Sequence, residues 1–142
     1  PISLLPIFGK IVERTLKTRL LDAWKQMIPD NQIGFRRTNA IAELLEFCYK
    51  YYFARFPTRL VTLSLDKPFD KVDHKALIRT LKEERVNPSW IKLIQNYLSS
   101  RTFQVRIGGK ITTDAYTINT SVPQGSVWGT ILFNAHISQI PT

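Results

Sequence analysis

A chain of 142 residues is long enough for one domain with a real core and too short for two. Its 44% apolar and 22% charged residues are an ordinary globular balance, which excludes a disordered polar chain, and no apolar run approaches the roughly 20 residues of a bilayer span. The excess of 20 Lys and Arg over 11 Asp and Glu gives a formal charge of +9, a field that suits phosphate-bearing partners or a plain solvated surface equally well.

The opening stretch, 1–8, is apolar but lacks the basic leader and small-residue cleavage site of a secretory signal. Starting on Pro1 and stopping at Thr142, the chain is expected to be cut from something longer. Phe8, Ile11, Val12, Leu16, Leu20 and Trp24 recur at helical steps and predict a first helix with one apolar face. Ile28-Pro29-Asp30-Asn31 breaks it, and a loop runs on through Gly34. Ile41, Leu44, Leu45, Cys48, Tyr51 and Tyr52 predict a second helix, with Asn39 as a candidate cap and Pro57 ending the region. The lone cysteine, Cys48, excludes an internal disulfide and is expected to be a buried, inert thiol on that helix.

Residues 60–65 alternate and are rich in β-branched and aliphatic side chains, which predicts a strand. Its period of two sets Val61, Leu63 and Leu65 on one face and Thr62, Ser64 and Asp66 on the other. Asp73 is the expected N-cap of a helix reaching about Glu84. Asn87-Pro88 is a cap followed by proline at the first position of the next helix, whose stripe is Trp90, Ile91, Ile94, Tyr97 and Leu98. Phe103, Val105 and Ile107 alternate with polar residues, Gly108-Gly109 suits a tight hairpin turn, and Tyr116 and Ile118 suit the returning strand. After the turn Pro123-Gln124-Gly125-Ser126, a last helix is predicted from Trp128, Ile131, Leu132 and Ala135. Helices interleaved with a few strands make an α+β or α/β piece.

Two stretches can carry chemistry. Asp66 at a strand end, with Asp70 close behind, is a natural hard-oxygen ligand for Mg²⁺, although the same carboxylates can simply cap and solubilise a turn. In Pro123–Ser126, glycine lets the backbone approach a ligand, and the following helix N-terminus would present free N–H groups to phosphate. Any loop entering a helix can look this way. His74 and His136, far apart and without Cys or His neighbours, read as structural.

The blocks Pro1-Ile2-Ser3-Leu4-Leu5-Pro6, Lys10 with Glu13, and residues 28–36 ending Gly34-Phe35-Arg36 together resemble the finger region of non-LTR (LINE, jockey-like) reverse transcriptases. The likeness continues, in the family's order, through Phe69-Asp70-Lys71-Val72-Asp73-His74, residues 97–106, Val122-Pro123-Gln124-Gly125-Ser126, Gly129 and Leu132-Phe133-Asn134. It implies a single partial domain over 1–142, α+β, with fingers and the first part of the palm as helices packed on a small antiparallel or mixed sheet. The family's Asp-Asp palm strand and thumb are missing from the sequence. By resemblance, Asp66 is the Mg²⁺ ligand and catalytic carboxylate, and Phe69 is the gate against a 2′-hydroxyl. Gln124 and Gly125 lie near the nascent base pair, and Arg36 near template or nucleotide. The implied partners of the intact parent are an RNA template, a DNA primer and deoxynucleotide triphosphates, with no membrane and an intracellular setting.

The sequence departs from the family in several places. Phe69 follows Asp66 too closely, and the ungapped spacing puts Ser64 at the ligand position. Residues are missing after Arg36-Arg37, Thr130 replaces a common proline, Ser121 replaces a glycine, and the triphosphate-gripping arginine would fall just before Pro1. Negligible polymerase activity is therefore expected of this chain alone, and a remnant that only binds RNA or DNA through its basic surface is the alternative. An unpaired sheet edge would favour self-association.

Overall fold

The computed structural model describes residues 3–25, 27–29, 32, 34–35, 40–53, 59–111 and 113–139. Among these residues, five helices and two small antiparallel ladders make a mixed α+β arrangement: α1 (Ile7–Trp24), α2 (Ala40–Phe53), α3 (His74–Glu83), α4 (Pro88–Leu98), β1 (Arg101–Phe103), β2 (Arg106–Ile107), β3 (Lys110–Ile111), β4 (Tyr116–Ile118) and α5 (Gly129–Ile137).

The two helices with the clearest start signals begin where those signals stand. Asp73 accepts from the amide of Ala76 at 2.9 Å to open α3, and Asn87 accepts from Ser89 N at 2.9 Å before Pro88 opens α4. Arg85, at a positive φ of 56°, turns the chain between them. Leu77, Ile78 and Leu81 of α3 meet Ile91, Ile94 and Leu98 of α4 and Ile131, Leu132 and Ala135 of α5, with Leu20 and Trp24 of α1 joining the same cluster. Each such side chain removed from water contributes about 1.5–3 kcal/mol. The core is therefore helix on helix, centred on α3.

β1 pairs with β4 in the register Arg101↔Ile118, and β2 with β3 as Arg106↔Ile111, so the four strands are one hairpin interrupted midway. Gly108 and Gly109, at φ of 56° and 82°, form its turn as expected. No strand residue is buried. The expectation of helices packed on a sheet is thus corrected, because the hairpin projects from a helical core.

Three further expectations change. Residues 60–65 form no strand: none of the described segments pairs with them, and Leu63 is 90% exposed. Alternation alone does not make a strand without a neighbouring backbone to bond. On α1, Phe8, Ile11 and Val12 are exposed while Glu13 is buried, because the first turns of the helix face a polar clamp rather than apolar neighbours. None of the side chains of α2 is buried, and Cys48 is only half-covered instead of sealed in a core. Asn39 and Pro57 lie outside the described residues.

Candidate functional site

The acidic block and the Pro-Gln-Gly turn are joined by backbone. Ser121 N donates to Val72 O at 2.8 Å, Val122 N donates to Phe69 O at 2.9 Å, and Asp73 bridges Thr120 in antiparallel sense. Phe69 therefore stands beside the turn that carries Gln124 and Gly125. From the other side, Ser3 N donates to Gln124 O at 2.8 Å. Gln124 and Gly125 are both exposed, and Gly125 has φ of 111°, a conformation that side chains with a Cβ rarely take.

The ring of Phe69 is half-buried. It stacks on Phe133 with centroids 4.7 Å apart and meets Phe35 edge-on at 5.8 Å. Phe35 is brought there by Asn134, a side chain only 4% exposed, whose Nδ2 donates to Gly34 O at 2.8 Å. Gln32 Nε2 donates back to Asn134 O at 3.1 Å. Asn134 is thus the residue that ties the 32–35 loop to α5. Its position in the Leu132-Phe133-Asn134 block marked it, but helical periodicity could not, since a buried amide on an apolar helix announces no partner. Arg36 lies outside the described residues.

Asp66 sits at a bend and is exposed, with its carboxylate 3.2 Å from Lys71 Nζ. Lys67, at φ of 48°, and Pro68 turn the chain immediately after it. Among the described residues no three His, Cys, Asp or Glu side chains gather as a metal site. A single exposed carboxylate held by a lysine does not fit a two-metal centre, which needs carboxylates from more than one segment.

The expectation of free N–H groups at the start of α5 is corrected. Glu13 Oε2 accepts from Val127 N at 2.5 Å and from Trp128 N at 3.3 Å, while Ser126 Oγ accepts from Gly129 N at 2.6 Å. Glu13 Oε1 accepts from Tyr97 Oη at 2.8 Å, and Trp128 Nε1 donates to Glu13 O at 2.9 Å. These helix-opening amides are therefore satisfied internally and do not wait for an anion. Burial holds the Tyr97 phenol above its ordinary range, and the charge of Glu13 adds to that. Gly129 has no room for a side chain, because a Cβ there would stand 2.5 Å from Pro123 O. This clamp was not legible from composition; Glu13 stood out only as part of the family-like Lys10–Glu13 block, with nothing to name its partners.

The profile of the reverse transcriptase (RNA-dependent DNA polymerase) family matches residues 1–142, and the chain belongs to that family, in the branch carried by non-LTR retrotransposons. Among its relatives, the RNA-directed DNA polymerase from mobile element jockey of Drosophila melanogaster is 34% identical over 150 residues, covering 100% of this chain and 16% of the relative. The probable RNA-directed DNA polymerase from transposon BS of the same species is 30% identical over 147 residues, covering 99% of this chain and 16% of the relative. A type-1 retrotransposable element R2 Pol polyprotein of Popillia japonica is 26% identical over 144 residues. The chain spans about one sixth of the length of the first of these relatives. No solved structure matches.

Proposed function

We propose that this chain is part of an RNA-directed DNA polymerase, supplying finger and early-palm elements to a nucleotide-transfer site whose remaining carboxylates come from sequence not present here. The observation that carries the reading is the pairing of Phe69 with Val122, which sets the acidic block against the Gln124–Gly125 turn. In a complete enzyme, with further carboxylates supplied by other segments, Asp66 would help hold Mg²⁺ as the catalytic carboxylate, Phe69 would exclude a 2′-hydroxyl, Gln124 and Gly125 would border the nascent base pair, and Arg36 would contact template or nucleotide. The partners are then an RNA template, a DNA primer and deoxynucleotide triphosphates, in an intracellular setting.

The test is primer extension on an RNA template. The chain alone should extend nothing above a metal-free control. Installed in place of the matching segment of the jockey polymerase it should support extension, Asp66→Asn should lower the rate by roughly a hundredfold or more, and Phe69→Ala should admit ribonucleotides. A chimera in which neither substitution changes rate or sugar selectivity would overturn the assignment, and restored activity in Ser64→Asp alone would move the ligand to position 64.

A second reading, a remnant that only binds nucleic acid, is favoured by one observation: Asp66 is exposed, paired with Lys71 and without carboxylate company among the described residues.

A further inference from the structure

We propose that the concavity between α3 and α4 is a docking groove for a strand of RNA, gripped by its phosphates. The groove encloses about 500 Å³ and is open to solvent. Lys75, Arg79 and Lys82 of α3 form one wall, Gln95 and Ser99 at the end of α4 face them, and buried Ile78 lies beneath. No carboxylate lines it among the described residues.

The charge in this groove is available. Arg79 meets Glu83 at 3.8 Å with both side chains largely exposed, a pair too weak to hold the guanidinium against a phosphate. Asp73, at the head of the same helix, has its carboxylate committed to the amide of Ala76. Lys75, Arg79 and Lys82 stand on one helical face, with Cα levels about 6 Å and 4.5 Å apart along the axis at 1.5 Å per residue. Three long, flexible cations in such a row can follow successive phosphates of a strand, and a row of this kind binds a polyanion rather than one small ion. None of Phe35, Phe69, Phe133 or Gln124 lines the groove, so it is a separate surface from the proposed nucleotide site.

The opposite wall favours RNA over DNA. Ser99 Oγ donates to Asn96 O at 3.1 Å, which leaves its lone pairs to accept a hydrogen bond. The Gln95 amide can both donate and accept. A ribose 2′-hydroxyl, itself donor and acceptor, satisfies both, and a deoxyribose cannot. This inference deepens the nucleic-acid-binding reading and is independent of the polymerase chemistry, because no residue of the groove enters the extension assay.

The experiment measures anisotropy of a short fluorescein-labelled RNA, and of the DNA of the same sequence, across a salt series. The triple substitution Lys75→Gln, Arg79→Gln, Lys82→Gln should weaken RNA binding by about tenfold or more and flatten the log–log salt slope by about two, at roughly 0.7 per phosphate released. A control triple removing the same charge from exposed positions on α1, Arg14→Gln, Lys17→Gln, Arg19→Gln, should leave that slope in place. Glutamine keeps helix propensity close to that of lysine and arginine, and circular dichroism of both triples should match the parent. The parent should prefer RNA to DNA severalfold, and Gln95→Ala with Ser99→Ala should abolish the preference. Equal losses in the two triples would overturn the groove, and equal RNA and DNA affinity would overturn the choice of strand. Binding of neither strand would overturn the binding reading itself, while leaving extension by the chimera unaffected.

Discussion

Glu13 is the residue on which the Pro-Gln-Gly turn depends. At 3% exposure it accepts hydrogen bonds from Tyr97, Val127 and Trp128, so its removal strands three donors in a dry setting. With unsatisfied buried donors costing about 1–3 kcal/mol apiece, Glu13→Ala should destabilise the chain by roughly 3 kcal/mol in urea unfolding, and Glu13→Gln by less. Trp128 fluorescence should shift in parallel, since its backbone amide loses the Glu13 carboxylate beside the indole, whose own bond to the Glu13 backbone carbonyl is kept. Ser121 presents the opposite case. It sits at φ of 85°, where the family commonly has glycine, and is held by its amide to Val72 and by its carbonyl, which accepts from His74 Nε2 at 2.7 Å. Both bonds use backbone atoms of Ser121, so Ser121→Gly keeps them and relieves the left-handed strain. A gain of about 1 kcal/mol is expected, read as a higher urea midpoint.

Helices announced by caps formed as expected, since Asp73 and Asn87-Pro88 are local signals that need no partner from elsewhere. The hairpin was legible for the same reason, with two positive-φ glycines between alternating residues. What failed were three expectations that needed a distant partner. Alternation at 60–65 and the stripes of Phe8–Val12 and α2 say which face is apolar, not what covers it, and here those faces are exposed. The site was legible as motif order, while Glu13 and Asn134 do their work through contacts that span the chain, which spacing cannot show. On α5, His136 illustrates competing local effects. A helix C-terminus and Asp73 favour the cation, yet burial wins and lowers its pKa below 6.5. A depressed folded-state value means that stability is present above 6.5 and is lost as pH falls through the folded pKa. The urea midpoint should therefore decline on acidification through the histidine range, and His136→Gln should blunt that decline. At the alkaline end Tyr97 acts in the other direction: its raised pKa keeps its contribution below 10.0 and loses it as pH climbs beyond.

At the scale of the molecule, one well-packed helical unit carries an apolar surface that none of the described residues covers. Leu60, Val61, Leu63 and Leu65 stand out along a segment without regular secondary structure, and Ile41, Phe47, Tyr52 and Phe53 are exposed on α2. Such an uncovered apolar segment, with backbone groups that no ladder uses, favours contact with a second chain. Sedimentation should show concentration-dependent association of the chain, and Val61→Lys with Leu63→Lys should return it towards monomer; unchanged association in that double variant would exclude the segment as the contact. The hairpin has the reverse character. None of its strand residues is fully buried, a Cβ added at Gly108 or Gly109 would meet nothing within 4 Å, and the core is built without it. It behaves as a handle: a peptide tag or fluorophore grafted at its tip should report on rotation and crowding of the protein without disturbing the parts that hold it together.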